Sequence, residues 1–218
     1  MKQLIVPSIV ALGLALPASA VVQTYNGTGG AIGDNNGLTG GTNFIINIGD
    51  SGVINSIVNV TMTFSTAHTW AGDLEVTLIA PNLDDCHIFS RPGVTASTGV
   101  GNSANLLGPY TFVNSGGANF ATAVAGTAGT ANVASGTYNR STAAAPTVTG
   151  GQDPDDYSVF AGDNLNGAWT LNIADWASLD TGALGSWSIT IDYSGVPAPG
   201  ALALLGLAGV VGRRRRNA

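Results

Sequence analysis

Wherever this chain is apolar it alternates with period two, and that pattern decides the fold class. From Ile54 to Phe64 the even positions read Ile54, Ser56, Val58, Val60, Met62 and Phe64, and the odd ones Asn55, Ile57, Asn59, Thr61 and Thr63. Only Ser56 and Ile57 break the alternation. Successive side chains of an extended strand point to opposite faces, so this stretch predicts a long half-buried strand with its even positions inward. Leu74, Val76, Leu78 and Ala80 repeat the pattern against Asp73, Glu75 and Thr77. Trp169, Leu171 and Ile173 do so again, as do Trp187, Ile189, Ile191 and Tyr193 against Ser188, Thr190 and Asp192. No helical period shows between Val21 and Ser194. Thirty-one glycines, with Asn and Asp, separate the runs. Many short strands with frequent turns predict an all-β fold, an antiparallel β-sandwich or jelly roll. The Gly, Ala, Thr, Ser and Asn-rich stretch 94–151 reads as long loops and weakly specified edge strands, with Tyr110–Val113 its best strand; disorder is the competing account.

The two ends read differently. Lys2, an apolar run and the small residues Ala18-Ser19-Ala20 make a secretory signal peptide, 1–20, with cleavage after Ala20. At the other end, Val196-Pro197-Ala198-Pro199-Gly200 leads into an apolar helix that stops at Arg213, Arg214, Arg215 and Arg216. The 17 uncharged residues from Val196 to Gly212 meet the lower edge of a membrane span, and the arginines would stay cytoplasmic. This tail, 195–218, resembles the PEP-CTERM sorting signal of bacterial surface proteins, with Val-Pro-Ala-Pro in place of the glutamate-containing motif. The resemblance implies an exosortase-type processing enzyme as partner and release or attachment at the cell surface; a plain C-terminal membrane anchor is the alternative. Between the ends lie a lead-in, 21–42, and one domain, 43–194.

Without the ends, two basic residues, Arg91 and Arg140, face thirteen acidic ones, a net charge of −11. Such a surface repels nucleic acid and anionic lipid, so nucleic-acid binding is excluded. Cys86 is the chain's one cysteine. An exported domain without disulfides must rest on core burial, and Cys86 reads as a buried, inert thiol.

Two blocks carry the most specific signal. "HTWAGDLEVTLIAPN" begins at His68, and "FAGDNLNGAWTLNIADWASLDTGALGSWSITIDY" runs from Phe160 to Tyr193. Together they resemble the P domain (Homo B domain) of the proprotein convertases. The matching positions are His68, Trp70, Gly72, Asp73 and Leu74, then Pro81, Gly167, Trp169, Leu171, Asp175, Gly182 and Trp187. The resemblance spans roughly 43–193. It departs after Pro81, at "NLDDCHIFSRPG", and in the Ala/Thr/Gly-rich centre. It implies a galactose-binding-like jelly roll, a domain that accompanies a subtilisin-like protease and carries no catalytic residue itself.

The residues permit several chemistries. His68, Asp73 and a serine could be assembled into a triad, but a triad is a geometry with an oxyanion hole, and neither His68 nor His87 lies in a protease motif. The plainer reading has Asp73 accepting backbone N–H groups in a turn while His68 and Trp70 pack across strands. Asp163, Asp175 and Asp180, with the acidic run 153–156, supply oxygens of the kind calcium takes; solvated acidic turns are the alternative. Trp176 in the Asp-rich turn is the one ring expected to be exposed for carbohydrate stacking. The expectation is an exported, surface-sorted, non-catalytic module with a structural or interaction role, its partners an envelope protein, a matrix polysaccharide or a secreted protease. A protease-associated role in trans and glycan binding are the rivals.

Overall fold

Period two is realised as two packed sheets in the computed structural model, which describes residues 19–94, 99–140 and 156–195. The signal peptide up to residue 18, Asp153 and Asp155, and the sorting tail from Val196 to Arg216 lie outside these residues. The first sheet has the order β1-β10-β3-β6-β8-β7, built from β1 (Ala20–Ala31), β3 (Gly52–Thr66), β6 (Tyr110–Val113), β7 (Ala118–Asn119), β8 (Gly136–Asn139) and β10 (Ala183–Gly195). The second is antiparallel, β2-β9-β4-β5, from β2 (Thr42–Ile48), β4 (Leu74–Ile79), β5 (Asp85–Ser90) and β9 (Gly167–Asp175). The larger sheet is mixed, because β8 runs parallel to both β6 and β7. The fold is an all-β sandwich.

The core is what the alternation predicts. Trp169, Leu171 and Ile173 of β9 face Trp187, Ile189 and Ile191 of β10, with Leu74, Val76 and Leu78 beside them, all at most 2% exposed. Complete burial of one such side chain stabilises by roughly 1.5–3 kcal/mol. Cys86 is buried with them.

Three expectations change. Val58, read as inward, is 40% exposed, and Ile57, on the outward parity, is 4% exposed. β10 steps from Thr190, opposite Asn59, to Ile191, opposite Ile57, and skips Val58; a second skip at Asn55 restores the parity. A bulge inserts one unpaired residue, and a one-residue shift exchanges the faces.

Next, the lead-in 21–42 is part of the sandwich: β1 pairs with β10 along its whole length, from Ala20 opposite Ser194 to Ala31 opposite Ala183. Its glycine content hid it. A Cβ on Gly27 would fall 2.5 Å from Trp187 Nε1 and 2.7 Å from Ile46 Cγ1, so the missing side chain makes room for the indole.

The third change is in the centre, of which 99–140 is described: the expected strand Tyr110–Val113 is there as β6, and β7, β8 and a helix stand where loops are expected. β6 lies inside the large sheet, between β3 and β8. A six-residue helix, α1 (Phe120–Ala125), plugs the end of the core. Its cap is Asn119, whose side chain accepts from Thr122 N at 2.8 Å. Phe120 and Val124, one turn apart, are both fully buried. The Phe120 ring sits 4.8 Å from Phe89, 5.0 Å from Phe112 and 5.3 Å from Tyr138, centroid to centroid. Helical periodicity needs a longer window than six residues to show.

Candidate functional site

The two sequence blocks meet in space. β4 pairs with β9 from Leu74 opposite Asp175 to Ile79 opposite Thr170. This registers the first block against the second and brings the polar residues of both to one end of the small sheet. His68 Nε2 lies 3.2 Å from Asp175 Oδ2, with both side chains at 0% exposure. Asp175 Oδ1 accepts from Ala177 N at 3.1 Å, and Asp175 N donates to Asn36 Oδ1 at 2.9 Å. Asp175 thus orders the turn after β9 and ties it to the loop after β1.

Asp73 closes the single 3₁₀ turn Ala71–Asp73 that enters β4. Its backbone oxygen accepts from Trp176 N at 3.0 Å. Its side chain is buried, 1% exposed, and Oδ1 has no hydrogen-bond partner. Burial, then the charges of Asp175 and Asp180, push its carboxyl up to about 7, against the opposing pull of Arg91 and His68. Asp73 was expected to accept backbone N–H groups, but the bonds of the turn are made by its main chain: its carbonyl accepts from Trp176, and its N donates to Trp70 O at 3.0 Å.

Arg91, which the sequence did not single out, is the cation of this cluster. It is 4% exposed, donates from Nη2 to Gly99 O at 2.8 Å and lies over the Trp176 ring at 5.9 Å. Burial lowers its pKa. The signal was available: an acidic domain with two basic residues has few counter-charges to bury, so each is suspect.

Gly72 and Gly182 hold their motif places for steric reasons. A Cβ on Gly72 would stand 2.4 Å from Asn102 N, because residues 101–104 lie across the 3₁₀ turn; Gly72 N donates to Asn102 O and Ala71 N to Ala104 O, at 2.9 and 2.7 Å. A Cβ on Gly182 would stand 2.5 Å from His68 Cα. Gly167, at the far end of β9, has φ +135° and faces Pro81, whose Cβ would be 2.6 Å away. Each of these three glycines marks a close approach, and two of them join one block to the other. Trp70 adopts φ 63° at the start of the turn and donates its indole N–H to Val100 O.

The calcium set is not brought together. Eight residue steps of β9 separate Gly167 from Asp175, about 26 Å of strand, and Asp163 precedes Gly167. Asp163 is bound instead at the start of β3, where its backbone oxygen accepts from Ile54 N at 2.9 Å. Calcium ligands lie within about 2.6 Å of the ion, so Asp163 and Asp175 cannot share one. Among the described residues no group of three or more His, Cys, Asp or Glu is placed to hold a metal. Asp156 caps the 3₁₀ turn Tyr157–Phe160 through Ser158 N at 2.7 Å.

Trp176 is half-buried, not a free ring. A Cβ on Gly37 would come within 2.4 Å of its ring carbons, Arg91 covers the ring, and Nε1 is buried without a partner. The cluster is therefore a packed joint of His68, Asp73, Arg91, Asp175 and Trp176, strapped by residues 99–104.

No protein-family model matches the chain, and no curated protein does. Among solved structures it is similar to a chain in the crystal structure of an Aeromonas sobria serine protease with its chaperone, at 14% identity and a TM-score of 0.45, over 85% of this chain. The chain spans 29% of that protein's length.

Proposed function

We propose that this protein is an exported, surface-sorted module of P-domain type that carries no catalysis and serves a structural or interaction role in the bacterial envelope or extracellular matrix. The burial of the motif itself carries this reading. His68 and Asp175 are at 0% and Asp73 at 1% exposure, under a strap of backbone. A general base must reach a substrate proton directly or through one water, and a His sealed against a carboxylate on one side and Gly182 on the other is suited to holding two strands in register. The signal peptide and the PEP-CTERM-like tail supply export, surface delivery and an exosortase-type processing partner.

A second reading keeps the convertase association: a module that stabilises or directs a separate subtilisin-like protease in trans. It is favoured by the two motif blocks, since in the convertases such a domain accompanies the protease. The test is recovery from the surface and culture fluid of the native host, with the tagged full chain as bait after chemical crosslinking. Matrix polysaccharide or envelope protein as the main crosslinked species, with no hydrolysis of casein or ester substrates by the purified protein, supports the first reading. A subtilisin-like protease recovered in near-stoichiometric amount supports the second, and hydrolysis that survives extensive purification sinks both.

A further inference from the structure

Three loops converge on the Trp176 ring at one end of the sandwich, and each carries an exposed apolar side chain. In the loop after β1, Gly37 lies against the ring, and the next residue, Leu38, is 77% exposed. The segment 99–104 reaches the ring through Arg91, which lies over it and donates to Gly99 O; Val100, the next residue, is 59% exposed. The loop after β9 holds Trp176 itself, and there Leu179 is 89% exposed. A lone exposed leucine is ordinary, but apolar groups gathered in one place on a folded domain mark a contact surface. Leu179 is also held in a conformation that suits glycine. Its φ is +83°, and both Asp34 carboxylate oxygens accept from its N–H, at 3.1 and 3.3 Å. Among the described residues five non-glycine residues have positive φ, and four of them, Asn35, Trp70, Arg91 and Leu179, lie at this end. Strain of this kind collects where a protein binds.

We infer that this loop end is a docking surface for another protein, one that offers apolar side chains flanked by Lys or Arg. The inference rests on the exported-module reading above and names its contact face. The exits of the two chain ends help select the occupant. Gly195 N donates to Ser19 O, while Gly182, just before the other end of β10, abuts His68 in the joint. The strand between them is about 40 Å long, so the tail starts at the end of the sandwich opposite the leucines. A tail lodged in the membrane leaves the loop end facing outward, away from lipid. Charge supplies the rest. Asp34 is bonded to Leu179 and Asp180 follows it, while the cation of the cluster, Arg91, is buried. An acidic rim around apolar groups is complementary to a basic rim on the partner. Carbohydrate stacking needs an open aromatic face, and the Trp176 ring is covered by Gly37 and Arg91.

The experiment places a photo-crosslinking residue at position 38 of the full chain expressed in its host. The control position is 53, where Val53 is 48% exposed and pairs with Ser194 at the opposite end of the sandwich. A protein adduct formed at 38 and not at 53 is identified by mass spectrometry, purified and titrated with the isolated chain. Burial of two leucines is worth at least about tenfold in affinity, so Leu38→Ser/Leu179→Gly weakens binding by at least about tenfold. Leu38→Ser alone shows a smaller loss in the same direction. Raising sodium chloride from about 50 to about 500 mM weakens the wild-type complex. Glycine suits φ +83° at position 179, so the double variant melts close to wild type, which separates lost contact from lost fold. A polysaccharide or lipid adduct at 38, variants that bind unchanged, or a complex indifferent to salt overturns the inference. A chain present on the surface without any adduct at 38 overturns this inference alone, and a chain that never reaches the surface overturns the module reading with it.

Discussion

Asp73 shows what a single carboxyl contributes when it is shut in with others. Its folded pKa, about 7, lies above the 3.8 of an ordinary Asp carboxyl, so the folded state holds this proton to higher pH than the unfolded chain. Its contribution is fully present below the unfolded value and is lost as pH rises from about 4 to about 7, after which it is flat. Three units correspond to a ceiling of about 4 kcal/mol. Asp73→Asn keeps the shape and removes the titration. Urea midpoints measured from pH 4 to 8 are expected to flatten relative to wild type, with the variant the more stable at pH 8; a variant as pH-dependent as wild type counts against this account. His68 carries the opposite expectation. His68→Ala leaves Asp175 buried without its partner, at a cost of roughly 3–5 kcal/mol, and chemical denaturation reads it directly. Gly182→Ala would drive a methyl into His68 Cα, 2.5 Å away, costing about 1–3 kcal/mol. These residues stood out in the sequence as a motif, but the bond between His68 and Asp175 spans 107 positions, and no local pattern states it.

At the scale of elements, legibility followed side-chain contrast. β3, β4, β9 and β10 each alternate apolar with polar residues, because one face is buried and the other solvated, so their existence and inward faces were readable. β1 was not, since Gly27 stands where the alternation would place an apolar side chain and Trp187 of the neighbouring strand fills the space. α1 was not, since it is too short to repeat and its stability comes from Phe120 lodged among Phe89, Phe112 and Tyr138. Phe120→Ala is expected to cost about 3–5 kcal/mol and to speed amide exchange across β6 and β8 more than across β9 and β10. Equal acceleration in all four strands would mean the aromatic plug is not a separate buttress. The bulge at Val58 belongs to this scale as well. The sequence marks an irregularity at Ser56 and Ile57, but which residue is squeezed out depends on the partner strand β10.

For the whole molecule, the charge balance and the connections between sheets set the behaviour. A domain at −11 with both of its cations engaged, Arg91 over Trp176 and Arg140 over Tyr157 at 5.4 Å, repels itself in the folded state. Its melting temperature is expected to rise as sodium chloride goes from about 10 to about 300 mM, through screening; a flat or falling trend would show that the acids are locally compensated. The sequence by itself determined the all-β class, the inward faces of the long strands, the acidic surface and the residues of the two motif blocks, because these depend on alternation, composition and local order. Only the tertiary structure decided that Asp163 lies apart from Asp175, beyond the far end of β9, that Trp176 is covered, that Arg91 joins the His68–Asp175 cluster, and that β1 completes the large sheet. Those facts depend on which distant segments become neighbours, and burial and hydrogen-bond satisfaction settle that for the chain as a whole.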